Sequence, residues 1–198
     1  MNLPNKITLT RIFMIPVFVL FFFLDEIPFN YGISAIIFAV AACTDFIDGH
    51  IARSRKLVTN LGKFLDPIAD KVLVSTAMIL LLTMTGTLFI KLPDIAEPLY
   101  IATTIAICVI MARELIISAF RQIAAARGLV LAAEKLGKYK TTFQDVSVFV
   151  LLLAADLSGK TGEIACYVGF GLFAVATILT VWSGISYVVK NKQVLKDA

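Results

Sequence analysis

Long apolar runs alternate with short polar breaks along this chain. The runs lie roughly at 12–24, 30–52, 67–90, 98–120, 141–157 and 163–188, and the breaks read DEIPFN, SRKLVTNLGK, KLPDIAEP, RQIAAARGLVLAAEKLGKYK and DLSGKTGE. A helix needs roughly 20 residues to cross ~30 Å of hydrocarbon, so the pattern predicts six transmembrane helices. The first and fifth runs are short for a span; they borrow flanking residues or sit where the bilayer is locally thin. Ahead of the first run, Leu3, Ile7 and Ile12 fall near one helical face with Lys6 and Thr10 off it. That spacing predicts a short N-terminal interfacial helix over residues 2–11. The basic start and the apolar stretch after it have the form of a signal peptide, but the run ends in FFFLDEIPFN with no small-x-small cleavage site, so it reads as a retained first span. The expected fold is all-α, a single polytopic membrane domain over residues 1–198, with the bilayer rather than a water-shielded core setting its architecture.

Composition agrees. Of 198 residues, 59% are hydrophobic and 16% are charged, where a soluble domain is nearer half and a quarter. The net charge of +4 admits nucleic acid as a partner, but the basic residues sit beside the ends of apolar runs, which is a topology signal and argues against that reading. Six spans place both termini on one side, together with the 54–63 and 121–140 breaks. On that side fall all eighteen Lys and Arg except Lys91 and Lys160. The positive-inside rule makes it cytoplasmic, and an odd number of spans would spoil the separation. The expected location is therefore the cell membrane, multi-pass, with membrane lipids as surroundings and both termini cytoplasmic. Cys43, Cys108 and Cys166 lie inside apolar runs with no metal-ligand spacing and read as small buried hydrophobes.

Against this apolar background the stretch DFIDGHIAR, Asp45 to Arg53, stands out. Asp45 and Asp48 are three apart, so on a helix they are neighbours on one face. Gly49 and Ala52 share that face, which leaves it acidic and nearly free of side-chain bulk, so a large ligand can lie against the backbone. Arg53 stands at its margin, where a guanidinium can fork onto a phosphate. His50 points off this face. Further on, Gly62, Asp66 and Asp70 repeat at four-residue spacing and make a second face with two carboxylates and one bare spot. Four acids converging from two helices repel one another unless cations intervene. An oxygen-only donor set suits Mg²⁺ or Mn²⁺, and two such ions roughly 3.5–4 Å apart form the clamp used in phosphoryl displacement. Two plainer readings stand beside this one. Asp66 before Pro67 has the form of an N-cap with proline at the first helical position, and Asp45 can pair with Arg53 or Arg55 inside the membrane. Acids within spans are functional by default, which favours the metal reading for the set.

The spacing D45-x2-D48-G49-x2-A52-R53-x8-G62-x3-D66-x3-D70 resembles, without departure, the signature of the CDP-alcohol phosphotransferase family. That resemblance implies six membrane helices, usually a homodimer, a two-metal site at the cytoplasmic face, and transfer of a phosphatidyl or similar unit from a CDP-linked donor to an alcohol with release of CMP. It also implies that Asp70 is both a ligand and the general base, and that Asn5 and Thr8, in PNKIT, contact the nucleotide. Pro4-Asn5 also has the plain form of a turn and cap before a helix. Thr59 lies between the acidic pairs, where a hydroxyl can donate to the diphosphate. MNLPNKITLTR, ARELIISAFRQIAAARG and GKYKTTFQ are similar to the branch of the family whose donor is CDP-diacylglycerol and whose acceptor is glycerol 3-phosphate.

An acceptor that carries a phosphate needs its own cations. Arg113 lies inside the fourth run, where a lone cation needs a reason. Glu114 is its ordinary partner, although adjacent residues on a helix do not face each other. Arg121 lies eight residues on, and Lys135 and Lys138 are three apart just before the fifth run. Each of these four can also be a plain positive-inside anchor. Two rivals remain. One keeps the family and changes the acceptor to inositol phosphate, serine, or phosphatidylglycerol for cardiolipin formation. The other is a cation transporter, which would carry polar residues through its depth, whereas these acids cluster at one end.

Overall fold

The computed structural model describes the backbone of residues 3–54, 60–126, 129 and 135–195, and side chains at residues 7–44, 65, 68–126, 129 and 136–194. Six long helices account for most of it: α1 Leu3–Phe22, α2 Asn30–Ser54, α3 Asn60–Thr83, α4 Ala96–Ala126, α5 Lys135–Asp156 and α6 Gly159–Lys190. Short 3₁₀ turns stand between α3 and α4 and after α6. There is no strand among the described residues, so the all-α expectation holds. At 1.5 Å per residue, even the 20-residue α1 is about 30 Å long. The fifth run gains its length by taking in Lys135–Lys140.

Three expectations change. The interfacial helix and the first span are one element, because α1 runs unbroken from Leu3 to Phe22. Asn5, Ile7 and Thr10 carry no helix-breaking backbone demand, and Pro4 falls at the second helical position, where its missing N–H has no partner to lose. Likewise α3 begins at Asn60, so Asp66 lies inside the helix and is not its cap. The cysteines divide: Cys166 is buried, but Cys43 and Cys108 are exposed on the outer faces of α2 and α4. Those faces are apolar too, so an apolar run does not tell a core-facing thiol from an outward-facing one.

The helices form an up-and-down bundle whose two ends can be read from cross-helix contacts. At one end, Asn30 Nδ2 donates to Phe22 O at 3.0 Å, and the Gly32 amide donates to Asp156 Oδ2 at 2.6 Å. There Lys91 Nζ donates to the last carbonyls of α5, at Ala154 and Ala155 (2.8 and 2.9 Å), and to that of Leu157 just beyond it. At the other end, Arg11 of α1 meets Ala41 and Thr44 of α2, Lys71 of α3 meets Ser118 of α4, and Arg121 of α4 meets Tyr187 of α6. The C-terminal turns of α2, α4 and α6 therefore lie together with the N-terminal turns of α1, α3 and α5.

The helices approach closely at small residues, the form of contact common between membrane helices. α5 and α6 make the most extensive contact. A Cβ at Gly169 of α6 would lie 2.6 Å from Leu151 Cδ2, and Ser147 Oγ donates to Gly169 O at 3.0 Å. Other Ser and Thr hydroxyls bond within their own helices, as Ser34 to Asn30 O (2.8 Å) and Thr180 to Ala176 O (2.6 Å). The main core joins Phe18, Phe38, Leu73, Met78, Leu81, Ile110, Val148, Leu151, Leu152 and Phe173. The outer faces are apolar as well: Leu115, Ile178 and Trp182 are each about two-thirds exposed or more (70%, 66% and 67%). Among the described residues, Pro93–Ala126 and Gly159–Lys190 are long and apolar enough to cross a membrane, and Ile7–Phe22 and Asn30–Thr44 are shorter apolar helices.

Candidate functional site

Asp45, Asp48, Gly49, Ala52 and Arg53 occupy the last turns of α2. Gly62, Asp66 and Asp70 occupy the first three turns of α3. These helices pack against each other, and both segments fall at the end of the bundle marked by Arg11, Lys71 and Arg121. The side chains of Asp45, Asp48, Arg53 and Asp66 lie outside the described set, as does Thr59 entirely. Asp70 is half-buried. The backbone thus puts two pairs of acids on adjacent helices at one level, and an all-oxygen donor set of this kind fits hard divalent cations.

α1 lies along both helices. Arg11, fully buried, anchors it: Nε donates to Ala41 O at 3.2 Å and to Thr44 Oγ1 at 3.3 Å, one residue before Asp45. Because α1 and α2 are antiparallel, Thr8, three residues before Arg11, stands about 4.5 Å further towards the level of Asp45 and Asp48. Thr8 is also fully buried. Asn5 is one turn beyond on the same helix, its side chain outside the described set. The sequence offered Arg11 only as a basic residue at a helix end. Its position one heptad before Phe18, a core residue, is the signal that it faces inward.

Arg113 does meet Glu114, contrary to the expectation for neighbours on a helix. Nη1 donates to Glu114 Oε1 at 2.9 Å while Nη2 donates to Ser183 Oγ of α6 at 3.0 Å. The side chain folds along α4 across Gly184, where an added Cβ would lie 3.0 Å from Arg113 Cγ and 3.3 Å from Nε. The same Glu114 oxygen accepts from Lys140 of α5 at 2.5 Å. Lys140 was not among the expected residues. Stepping back by three or four from the α5 core positions Leu151 and Val148 gives Ser147, Gln144 and Lys140, all buried, so the helical period could have found it. Lys71, next to Asp70, donates to Ser118 Oγ and lies within electrostatic reach of Glu114, Arg121, Asp70 and Lys140. Arg121 stacks 5.1 Å over the Tyr187 ring, its Nε donating to the phenol oxygen at 3.1 Å. Lys138 is exposed on the outer side of α5, and the Lys135 side chain is outside the described set. The structure therefore joins Arg113 and Lys140 to a single acid, Glu114, with Lys71, the neighbour of Asp70, in electrostatic reach of it, while Arg121 is held by Tyr187.

Basic side chains of α4 and α5 thus lie beside the helix pair that carries the acid motif. Residues 1–182 match the model of the CDP-alcohol phosphatidyltransferase family. The chain belongs to this family. Among curated proteins it is similar to the CDP-diacylglycerol–glycerol-3-phosphate 3-phosphatidyltransferase of Bacillus subtilis strain 168, at 37% identity over 212 aligned positions that cover 100% of this chain and 98% of the relative. It is 39% identical to proteins of the same name from Escherichia coli K12 and Shigella flexneri serotype 5b, in each case over 99% of this chain and 98% of the relative. The family match takes in α1 to α5 and most of α6, and so spans both the motif on α2 and α3 and the basic residues of α4 and α5.

Proposed function

We propose that this protein transfers the phosphatidyl group of CDP-diacylglycerol to glycerol 3-phosphate, forming phosphatidylglycerol phosphate and CMP. The observation that carries the reading is the joint presence, at one end of the bundle, of the complete α2–α3 carboxylate motif and a second, separate cationic cluster. An acceptor without a phosphate would have no use for the second.

The donor's acyl chains would lie in the bilayer beside the apolar outer faces of the bundle, with its cytidine diphosphate at the motif. Asp45, Asp48, Asp66 and Asp70 would hold two divalent ions, Mg²⁺ or Mn²⁺. When bound, these would neutralise the diphosphate and the charge that develops on departing CMP. Gly49, Ala52 and Gly62 leave the backbone open to the nucleotide. Arg53 and Thr59 would bond the diphosphate, and Asn5 and Thr8 would contact the base or ribose from α1. The acceptor phosphate would be held by the cations of α4 and α5, aligning its sn-1 hydroxyl with the β-phosphorus. The hydroxyl oxygen forms the new P–O bond, the bond from the β-phosphorus to the bridging oxygen breaks, CMP leaves with that oxygen, and Asp70 accepts the hydroxyl proton.

Incubating the purified protein with CDP-diacylglycerol and, separately, glycerol 3-phosphate, inositol phosphate, serine or phosphatidylglycerol tests the acceptor. Glycerol 3-phosphate is expected to give the fastest CMP release, and faster release with serine would reject the reading. We further propose six spans with both termini and the active site cytoplasmic, from the segregation of Lys and Arg to one end of the chain's helices. Cysteines placed near Asp25, Asp94 and Lys160 should be labelled from outside intact cells, and labelling of the 121–140 segment from outside would overturn the topology.

A further inference from the structure

Glu114 belongs to neither the carboxylate motif nor the cations, yet its carboxylate ties Arg113 of its own helix to Lys140 of α5. We propose that Glu114 is a positioning residue for the acceptor, holding Arg113 and Lys140 as a fixed pair of cations directed at the acceptor phosphate. The inference rests on the reading that the cations of α4 and α5 bind that phosphate.

A single oxygen, Glu114 Oε1, accepts from Arg113 Nη1 at 2.9 Å and from Lys140 Nζ at 2.5 Å. The two nitrogens are thus no more than 5.4 Å apart, the two contacts laid end to end, a separation that one phosphate can bridge with two of its oxygens. The Lys140 side chain is only 6% exposed and that of Arg113 16%. Two like charges so close and so poorly solvated repel strongly without an anion between them. With Glu114 present they are held together; without it, Lys140 has no reason to remain beside Arg113.

Both cations keep donors in reserve. Glu114 takes one of the three ammonium protons of Lys140. Glu114 and Ser183 take Nη1 and Nη2 of Arg113, while its buried Nε has no partner among the described residues. A buried donor left open in this way calls for an explanation, and an acceptor phosphate would supply the missing partner. The pair is also tied to the reacting end. The Glu114 carbonyl accepts from Ser118 Oγ at 2.6 Å, and Ser118 in turn receives Lys71, the neighbour of Asp70. The spacing between phosphate and hydroxyl in glycerol 3-phosphate is short and nearly fixed, so the cations and Asp70 must keep a matching separation. The chain Glu114–Ser118–Lys71 supplies it.

The test compares Glu114→Gln, Glu114→Asp and Arg113→Ala in the full-length protein in mixed micelles, with KM measured for each substrate. Glu114→Gln is expected to raise the KM for glycerol 3-phosphate about tenfold or more, the scale of one charge-assisted hydrogen bond, with the KM for CDP-diacylglycerol within about twofold of wild type. Glu114→Asp keeps the charge but is one methylene shorter, and should raise the acceptor KM by a smaller factor. A role limited to neutralising buried charge would lower the yield of folded protein or kcat and leave the acceptor KM unmoved. If Glu114→Gln does not accumulate in membranes, Glu114→Asp decides: a raised acceptor KM supports the inference and a wild-type value overturns it. An acceptor KM raised by Arg113→Ala but not by the Glu114 variants removes the role of Glu114 alone. An acceptor KM unmoved by Arg113→Ala as well removes the underlying reading of the pocket.

Discussion

Asp45→Asn, Asp48→Asn and Asp66→Asn should each lower phosphatidyl transfer by at least about a hundredfold while the protein still inserts in the membrane. An amide has the shape of the carboxylate but lacks its charge, and hard divalent ions select charged oxygen ligands. A metal clamp contributes several kcal/mol of transition-state stabilisation, and every 1.36 kcal/mol is tenfold in rate, so losing even part of it reaches this size. The fold should tolerate the change, because removing one of several mutually repelling carboxylates does not weaken helix packing. CMP release per unit of membrane-inserted protein is the measurement. Activity near wild type in two of the three variants would make these acids structural.

The second large effect is expected at Arg113. Charge-assisted contacts are worth roughly 1.5–3 kcal/mol, or about ten- to a hundredfold in affinity. Arg113→Ala should therefore raise the KM for glycerol 3-phosphate by about that factor and lower kcat where the acceptor hydroxyl is misplaced. It should leave the KM for CDP-diacylglycerol nearly unchanged, since the proposal assigns Arg53 and the acids of α2 and α3 to the donor. Arg53→Ala should show the reverse pattern. Equal weakening of both substrates by Arg113→Ala would mean that the arginine supports the bundle, through Ser183 and the cleft over Gly184, rather than the acceptor.

The parts of this account that were legible in the sequence are those set by strict spacing. Hydropathy located six helices because each carries a long apolar run, and it erred mainly at their ends. There α1 absorbs the segment read as interfacial, and α3 starts seven residues before the run that marks it. Polar residues at a helix end look like a loop in a hydropathy pattern, although the backbone continues through them. The acids of α2 and α3 were visible because the i+3 and i+4 spacings put them on single faces. The cations were only partly visible. Arg113 and Arg121 drew notice as charges in or beside an apolar run, but Lys140 and Lys71 passed for anchors at a membrane edge. What separates Lys140 from Lys138 is rotation about α5 by two residues, which buries the former with Gln144 and Ser147 and exposes the latter. Glu114 was misjudged because helical geometry describes where side chains start, and a side chain as long as arginine's can bend back to its neighbour when a glycine on the facing helix makes room.

The central claim is that carboxylate-held divalent ions drive transfer of the phosphatidyl group. The most direct test follows CMP release by the purified wild-type protein with CDP-diacylglycerol and glycerol 3-phosphate, first in excess chelator and then with Mg²⁺ or Mn²⁺ added beyond it. The account predicts no release in chelator and full recovery with either ion, one CMP appearing for each phosphatidylglycerol phosphate formed. Release that continues undiminished in the chelator would contradict it.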